Sequence, residues 1–284
     1  WQNADGSELE INLRLLPCSQ EPTCRQTCQQ PLVSLISGLL GVPLMPERIS
    51  PQELKAGVCE VKLVPVPALA VETGVAQEAA CQQEICGDTF ATFNLTGGKV
   101  ALVLSDGMGV GEKAAQESKR AVALLEKLLS VGFKPLQAVK MLNSILLFRG
   151  EEESFTTIDL AVIHRQTGET EFIKIGSAPS YIIRQGKFLS ITNNTPPAGI
   201  ISNLPLESTT KVLKPGDILV MLTDGVLERE SNALNQEEWL EGIFRYSLQG
   251  TPEQMAQQIL ELVKTGDKKS DDLSVVVARI AWED

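Results

Sequence analysis

Short turns between successive strand-like segments constrain the fold of this chain most strongly. Segments 155–164 and 171–175 are joined around Gln166-Thr167-Gly168, and segments 181–184 and 187–191 by Gln185-Gly186. Turns this short connect antiparallel neighbours, whereas parallel strands need a long crossover. The pattern predicts an α+β fold of antiparallel sheets with inserted helices rather than alternating βαβ units. The predicted strands are 87–95, 99–104, 155–164, 171–175, 181–184, 187–191, 207–213, 217–222 and 273–280.

Apolar residues recur at helical spacing between these strands. The predicted helices are 112–131, 135–148, 236–246 and 252–264, and Leu124, Leu125, Leu128 and Leu129 share one face of the first. Strand follows strand from Val58 onward. We therefore place a domain boundary there, giving domains 1–57 and 58–284.

The N-terminal part has a pattern of its own. Alternation predicts a strand at 8–16, and apolar spacing predicts an amphipathic helix at 25–40. The apolar stripe of that helix serves packing or, alternatively, self-association. A strand-like segment follows at 60–72, where Pro65 and Pro67 suggest an edge or a bend.

The charge balance limits the partners of this chain. Its 284 residues carry a formal net charge of −11, which argues against nucleic acid or an anionic membrane surface as the main partner. The longest uncharged stretch, 26–46, is interrupted by glutamine, glycine and proline, and its apolar part is too short to cross a bilayer. No signal peptide is visible. Because the chain begins at Trp1, we expect it to be a piece of a longer protein.

Cysteine and histidine are poor candidates for the chemistry. The six cysteines are 18, 24, 28, 59, 81 and 86. Their pattern favours reduced thiols, because the alternative zinc site at 18, 24, 28 and 59 lacks a C-x2-C pair; disulfides are a further alternative. The single histidine, His164, lies at a predicted strand end, and one histidine is too few for a motif such as HExxH.

The glycine cluster in "LSDGMGVGEKAA" has two competing interpretations, a phosphate cradle or a turn beside a metal ligand. Gly107, Gly109 and Gly111 are spaced G-x-G-x-G, whereas a dinucleotide loop needs G-x-G-x-x-G. Glu112 stands where the last glycine belongs, and its charge would repel a pyrophosphate. No G-x-x-x-x-G-K-[ST] loop occurs either. The cradle is therefore disfavoured.

Aspartates at strand ends are the remaining chemical signal. Asp88 begins a predicted strand, Asp106 and Asp224 each end one, and Asp271-Asp272 precede the last. If these ends converge, the carboxylates form a cluster that is costly unless cations fill it. Oxygen ligands without histidine or cysteine favour Mg²⁺ or Mn²⁺, and two such ions activate water for attack on a phosphate ester. Gly107 would let its own carbonyl approach the same ion.

Several motifs together resemble the PP2C-type metal-dependent serine/threonine phosphatases. They are "GDTFATF", "LVLSDGMGVGEKAAQES", "LLEKLLSVGFKPLQAVKMLNSIL", "FTTIDLAVI", "IKIGSAPSYI", "PPAGI", "LKPGDILVMLTDGVLE" and "SDDLSVVVARI". The resemblance covers residues 85–281 and extends more weakly back to about residue 10. Within the family, the chain is similar to the phosphatases that control sporulation.

This resemblance implies a PP2C-like α-β-β-α sandwich of two antiparallel sheets flanked by helices, preceded by a small α/β regulatory segment. It implies a two-metal Mn²⁺ or Mg²⁺ site held by Asp88, Asp106, the Gly107 carbonyl, Asp224 and Asp271, with Asp88 bridging. Asp272 is expected to support these ligands rather than to bind metal. No arginine lies near Asp88 where some relatives carry one for phosphate.

The resemblance also implies partners and regulation. The expected reaction is dephosphorylation of a phosphoserine on an anti-sigma-factor antagonist, which activates a sporulation sigma factor. The helices at 112–148 match a regulatory switch, and residues 1–57 match the end of a regulatory region that supports a homodimer or higher homo-oligomer. The chain would then be the cytoplasmic domain of a bacterial membrane protein whose membrane segments lie outside this sequence.

Two alternatives remain open. One is a catalytically weak PP2C-like scaffold or binding module, which the presence of all four aspartates disfavours. The other is a stress-response phosphatase of the same branch, which acts on a different antagonist.

Overall fold

The chain divides into two units, each described here by itself: Trp1–Ala68 with Thr96–Lys99, and Leu69–Leu95 with Val100–Asp284. The structure is a computed structural model, and it describes residues 9–15, 29–49, 59–80, 83–148, 155–202, 204–230, 236–264 and 271–283.

Alternating apolar residues build a small sheet against one helix in the first unit. Its elements are β1 (Ile11–Leu15), α1 (Gln29–Leu40), β2 (Leu44–Ile49) and β3 (Cys59–Pro65). The strand order is β1-β3-β2 with antiparallel pairing, and a register shift interrupts the β2–β3 pair between Pro46 and Arg48. Leu44, Val61 and Leu63 are buried against side chains that include Val33 and Ile36 of α1.

The described part of the second unit forms two five-stranded sheets. The strands are β4 (Leu69–Glu78), β5 (Asp88–Leu95), β6 (Lys99–Asp106), β7 (Ile158–His164), β8 (Glu169–Ile175), β9 (Ser180–Arg184), β10 (Lys187–Ile191), β11 (Ser208–Val212), β12 (Ile218–Leu222) and β13 (Leu273–Trp282). One sheet, here called sheet 1, has the order β10-β9-β12-β13-β4, and the other, sheet 2, has the order β11-β8-β7-β6-β5. The neighbouring strands are antiparallel in the pairs β10–β9, β11–β8, β12–β13, β12–β9, β13–β4 and β7–β8.

Helices cover the outer face of each sheet. They are α2 (Glu112–Ser130), α3 (Pro135–Phe148), α4 (Asp224–Leu227), α5 (Gln236–Ser247) and α6 (Pro252–Val263). The strand period of two explains the layers. On β6, Ala101 and Val103 pack with α2 and α3, while Leu102 and Leu104 pack between the sheets. α5 and α6 pack on sheet 1. The predicted α-β-β-α sandwich is confirmed.

The leucines of the first predicted helix are core residues. Leu125 and Leu129 of α2 are buried, and Leu124 and Leu128 are partly buried against the same cluster. α6 also begins as its sequence suggests, because Thr251 and Gln254 form a capping box.

Three details differ from the predictions. The segment 60–72 is not one strand: β3 and β4 belong to different units, separated by residues 66–68, because the prolines there lack the N–H that a ladder needs. β2 was not predicted, since its proline hides a strand that depends on pairing with β3. Asp224 does not end a strand; it begins the helical turn α4 after Thr223.

Some predictions fall on residues that are not described. The helix predicted at 25–40 is helical from Gln29 onward, and its first four residues, with Cys18, Cys24 and Cys28, lie outside the described ranges. The predicted domain boundary between residues 57 and 58 stays a prediction. The structure separates its units after Ala68, because β3 pairs with β1 and β2.

Candidate active site

Aspartates from both sheets lie around one pocket of the second unit. Asp88 begins β5 and Asp106 ends β6, while Asp224 follows β12 and Asp271 precedes β13. Asp106, Asp224 and Asp271 line a pocket of about 180 Å³. Asp88 is only 5 % exposed and interacts with Asp106. Because neighbouring strands run antiparallel, the start of one strand and the end of the next lie at the same end of each sheet, and this places the four aspartates together.

The four carboxyl groups are linked by pairwise interactions, and we call this linked set the row of aspartates. Asp88 interacts with Asp106, Asp106 with Asp224, and Asp224 with Asp271. Within the described ranges, no three histidine, cysteine or acidic side chains are grouped closely enough to hold one metal ion. Asp224 is exposed and Asp271 half-buried, so this end of the row is open to solvent.

Asp88 joins the two sheets through its carboxylate. Its Oδ2 accepts hydrogen bonds from Ser274 Oγ of β13 at 2.6 Å and from Thr223 Oγ1, next to β12, at 3.0 Å. The Ser274 N–H in turn donates to Thr223 Oγ1 at 3.0 Å. Gln77 Nε2 of β4 donates to Ser274 Oγ at 2.8 Å. Asp88 is therefore held in one orientation by three strands of sheet 1.

Burial makes a negative charge unfavourable on Asp88 and on Asp106. Burial raises the pKa of Asp88, although its hydrogen bonds oppose the rise. Burial also raises the pKa of Asp106, and the negative charges of Asp88 and Asp224 raise it further. The pKa of Asp271 is raised mainly by burial and then by the charges of Asp224 and Glu228.

The chemistry of these donor atoms suits a divalent cation. Asp88 Oδ1 is buried and, among the described residues, has no hydrogen-bond partner. Such an oxygen is costly unless a donor or a cation satisfies it. All the acidic neighbours offer hard oxygen atoms, which suit Mg²⁺ or Mn²⁺. No lysine or arginine belongs to the described pocket lining, so the described residues place no positively charged side chain there.

Three glycines beside these aspartates allow the close approach of neighbouring elements. A Cβ on Gly107 would overlap the Ala114 carbonyl of α2, and a Cβ on Gly225 would overlap the Asp272 carbonyl. A Cβ on Gly87 would come within 2.8 Å of Ala114 Cβ. The glycines next to these aspartates thus reflect close packing as well as turning. Whether the Gly107 carbonyl binds metal stays a prediction.

Asp272 has a supporting role. Its Oδ1 accepts from the Ala80 N–H and its Oδ2 from the Gly87 N–H, both at 2.7 Å. These bonds tie the segment before Asp88 to the start of β13. Asp271, in contrast, faces the pocket.

Sequence reasoning missed the hydroxyl groups around Asp106. Thr157 Oγ1 accepts from the Asp106 N–H at 3.0 Å, and Thr156 Oγ1 donates to the Asp106 carbonyl at 2.7 Å. Ser105 Oγ lies 2.8 Å from Thr156 Oγ1. The threonines of "FTT" before β7 and the threonine before Asp224 are visible in the sequence. Their hydrogen-bond partners, however, can be identified only once the pairing of the strands is known.

Helix α2 contacts the strands that carry Asp88 and Asp106. Ser118 Oγ donates to the Gly87 carbonyl at 2.6 Å and lies 2.7 Å from Thr89 Oγ1. Ala114 packs on Gly87 and Gly107. The predicted adjacency of this helix to the site is present, and its role as a switch stays a prediction.

The remaining candidates lie away from the pocket lining. His164 ends β7, and its Nδ1 accepts from the Gln166 N–H at 3.2 Å, as expected for a strand end. Cys86 carries a free thiol whose pKa is raised to about 12, mainly by burial and then by the charge of Asp88. No described helix is long and apolar enough to cross a membrane.

Comparison with known proteins agrees with the resemblance seen in the motifs. The family model for stage II sporulation protein E matches residues 96–281. Stage II sporulation protein E of Priestia megaterium is 34% identical over 264 residues, covering 91% of this chain and 45% of the relative. That of Bacillus subtilis (strain 168) is 34% identical over 212 residues, covering 74% and 26%. The chain thus spans less than half the length of these relatives.

A solved structure of this family is also similar to the chain. It contains the PP2C phosphatase domain and a fragment of the regulatory domain of SpoIIE from Bacillus subtilis. The TM-score is 0.75 at 28% identity, with 99% of this chain and 81% of that chain covered. With its fold, its row of aspartates and these matches taken together, this chain belongs to the stage II sporulation protein E family.

Proposed function

We propose that this chain is a Mn²⁺- or Mg²⁺-dependent protein phosphoserine phosphatase. The observation that carries the proposal is the buried Oδ1 of Asp88, which has no hydrogen-bond partner among the described residues. Asp88 lies beside Asp106, one of three aspartates in a pocket whose described lining has no basic side chain. A phosphate ester is itself anionic. It would be repelled by this pocket unless cations offset the carboxylates.

Asp88, Asp106, Asp224 and Asp271, with the Gly107 carbonyl, would hold the metal ions. Bound divalent cations supply water activation and charge neutralisation at a phosphate ester. The residues of the chain prepare the site: Ser274 and Thr223 keep Asp88 oriented, and Thr156 and Thr157 hold the backbone of Asp106. Such supporting partners tune metal affinity.

The proposed substrate is a phosphoserine on an anti-sigma-factor antagonist, whose dephosphorylation activates a sporulation sigma factor. Membership of the family supports this choice over a stress-response antagonist. We further propose that the chain works as a homodimer or higher homo-oligomer and is the cytoplasmic part of a longer bacterial membrane protein.

Phosphate release from such a phosphoprotein tests the proposal. The chain would be assayed with Mn²⁺, with EDTA, and as Asp106→Ala and Asp224→Ala. Glu169→Gln, an exposed acidic residue of β8, is the matched control. We expect metal-dependent release that both aspartate variants abolish and the control retains. A folded chain that binds the phosphoprotein without turnover at any Mn²⁺ concentration would instead indicate a scaffold.

A further inference from the structure

Apolar side chains that are exposed or half-buried belong to the lining of the acidic pocket. Met108 and Ile200 line it with their side chains 58% and 45% exposed, and Phe155 and Pro197 line it as well. Single exposed apolar residues are common and need no explanation. Four of them line this one acidic pocket, and we call this set the apolar rim.

The fold holds the rim in place. Asn143 of α3, only 2% exposed, brackets Ile200 through its amide group: its Oδ1 accepts from the Gly199 N–H at 2.9 Å, and its Nδ2 donates to the Ile201 carbonyl at 2.9 Å. A buried amide that lost these partners would be left unsatisfied, so the loop is firmly specified. The two hydrogen bonds of the buried Asn143 side chain therefore fix the backbone on both sides of the exposed Ile200.

The other side of the rim is held by backbone pairing. The Met108 N–H donates to the Phe155 carbonyl at 3.2 Å. Thr156, next to Phe155, pairs with both Gly107 and Ala198. One short segment thus positions Met108 and the loop before Ile200 relative to each other.

The size of the pocket determines what meets the rim. A pocket of about 180 Å³ is too small to hold a phosphoserine together with both of its neighbours in a peptide. The residues flanking a phosphoserine must then lie at the mouth. Apolar side chains lose unfavourable contact with water when they pack against one another, and charged flanking residues gain no partner from Met108 or Ile200.

We propose that Met108 and Ile200 determine substrate specificity by contacting an apolar side chain beside the phosphoserine. The inference rests on the proposed phosphatase function, since the peptide must enter this pocket for the rim to act. It assigns the rim a preference for one class of sequence around the phosphorylated residue.

Two synthetic phosphoserine peptides test this assignment. They are identical except that leucine flanks the phosphoserine in one and glycine in the other. Both are assayed with Mn²⁺ on the wild-type chain and on Ile200→Gln and Met108→Gln. Ile201→Gln is the matched control, because Ile201 is 46% exposed but does not line the pocket.

The readout is the ratio of kcat/KM between the two peptides. We expect the wild-type chain to prefer the leucine peptide by about tenfold, the scale of a single apolar contact. Ile200→Gln and Met108→Gln should move the ratio toward one, and Ile201→Gln should keep it. A loss of active protein lowers both rates together and leaves the ratio unchanged.

Three results would overturn the inference: a wild-type ratio near one, an unchanged ratio in both rim variants, or an equal fall in Ile201→Gln. Failure of the proposed function gives a different result. In that case the wild-type chain hydrolyses neither peptide nor p-nitrophenyl phosphate, and the inference fails with it.

Discussion

Ser274 of β13 donates a 2.6 Å hydrogen bond to Asp88 of β5, so a hydroxyl of one sheet orients a carboxylate of the other. Ser274 also accepts from Gln77. The bond explains how an aspartate that is 5% exposed keeps a defined position although no described lysine or arginine pairs with it. It also makes the geometry of Asp88 sensitive to both sheets.

Removing this hydroxyl should weaken metal binding. Ser274→Ala leaves Asp88 Oδ2 with Thr223 as its remaining hydroxyl donor. Loss of a group that orients a ligand typically lowers metal affinity about 10–100-fold. We expect Mn²⁺ affinity, measured by titration calorimetry, to fall at least about tenfold. Ser208→Ala on exposed β11 is the control, and an equal affinity in both variants would contradict the expectation.

Neutralising Asp106 should stabilise the metal-free chain. Its buried carboxyl lies beside Asp88 and Asp224, whose charges repel its own. Asp106→Asn is expected to raise the free energy of unfolding in EDTA by about 1 kcal/mol, as is common where a functional site is strained. Urea unfolding measures this change.

Asp217→Asn is the control, and we expect it to change the free energy of unfolding in the opposite direction. Asp217 is buried, and its two oxygens accept from Arg184 Nε at 2.7 Å and Nη2 at 2.6 Å. Its replacement should lower the free energy of unfolding by about 1–3 kcal/mol. A loss of stability in Asp106→Asn as well would show that its charge is not a source of strain.

The same carboxyl groups should make metal-free stability depend on pH. The raised pKa values of Asp88 and Asp106 mean that the folded chain keeps these protons to higher pH than the unfolded chain, whose ordinary value is 3.8. This stabilisation is complete below that value and is lost as pH rises through the folded pKa values. The free energy of unfolding in EDTA should therefore fall between pH 5 and pH 7 for the wild-type chain, and less for Asp106→Asn. An equal slope in both would refute the assignment.

Glycines at close contacts should not tolerate alanine. Gly107→Ala and Gly225→Ala each place a Cβ against a backbone carbonyl that cannot move aside. We expect each to lower the free energy of unfolding by about 1–3 kcal/mol, the scale of overpacking. Gly242→Ala in α5 meets no atom within 4 Å and should instead stabilise the chain by about 1 kcal/mol. Thermal unfolding of the three variants separates these signs.

A buried ion pair on two neighbouring strands of sheet 2 offers a further test. Lys174 Nζ lies 2.5 Å from Asp159 Oδ2 and donates to Ser180 Oγ at 2.8 Å, with Lys174 and Asp159 both at most 2% exposed. Lys174→Met alone leaves an unpaired buried carboxylate and should lower the free energy of unfolding by about 3–5 kcal/mol.

The double variant Lys174→Met/Asp159→Leu should recover most of that loss, because both charges are then replaced by apolar groups. Urea unfolding of the single and double variants gives their coupling. Additive losses would show that the pair does not act as a unit.

The residue pattern alone determined the antiparallel strands with inserted helices and the kinds of residue at the site, whereas the layered sandwich followed from the family resemblance. The continuous apolar run of β6 and the helical spacing of Leu125 and Leu129 are local patterns, which can be recognised without tertiary information. The aspartates at strand ends were visible for the same reason. Segment 60–72 was misassigned because its two strands pair within different units, and pairing is not a local property.

Only the tertiary structure decided which atoms meet. Ser274 and Thr223 are far from Asp88 in the chain, and their local sequence does not indicate that they donate hydrogen bonds to a carboxylate. Gly107 reads as a turn residue, yet its neighbour is the backbone of Ala114. Hydrogen bonds and close packing depend on distances of a few tenths of an ångström between segments. The packing of the two sheets and of α2 sets those distances, and local pattern does not.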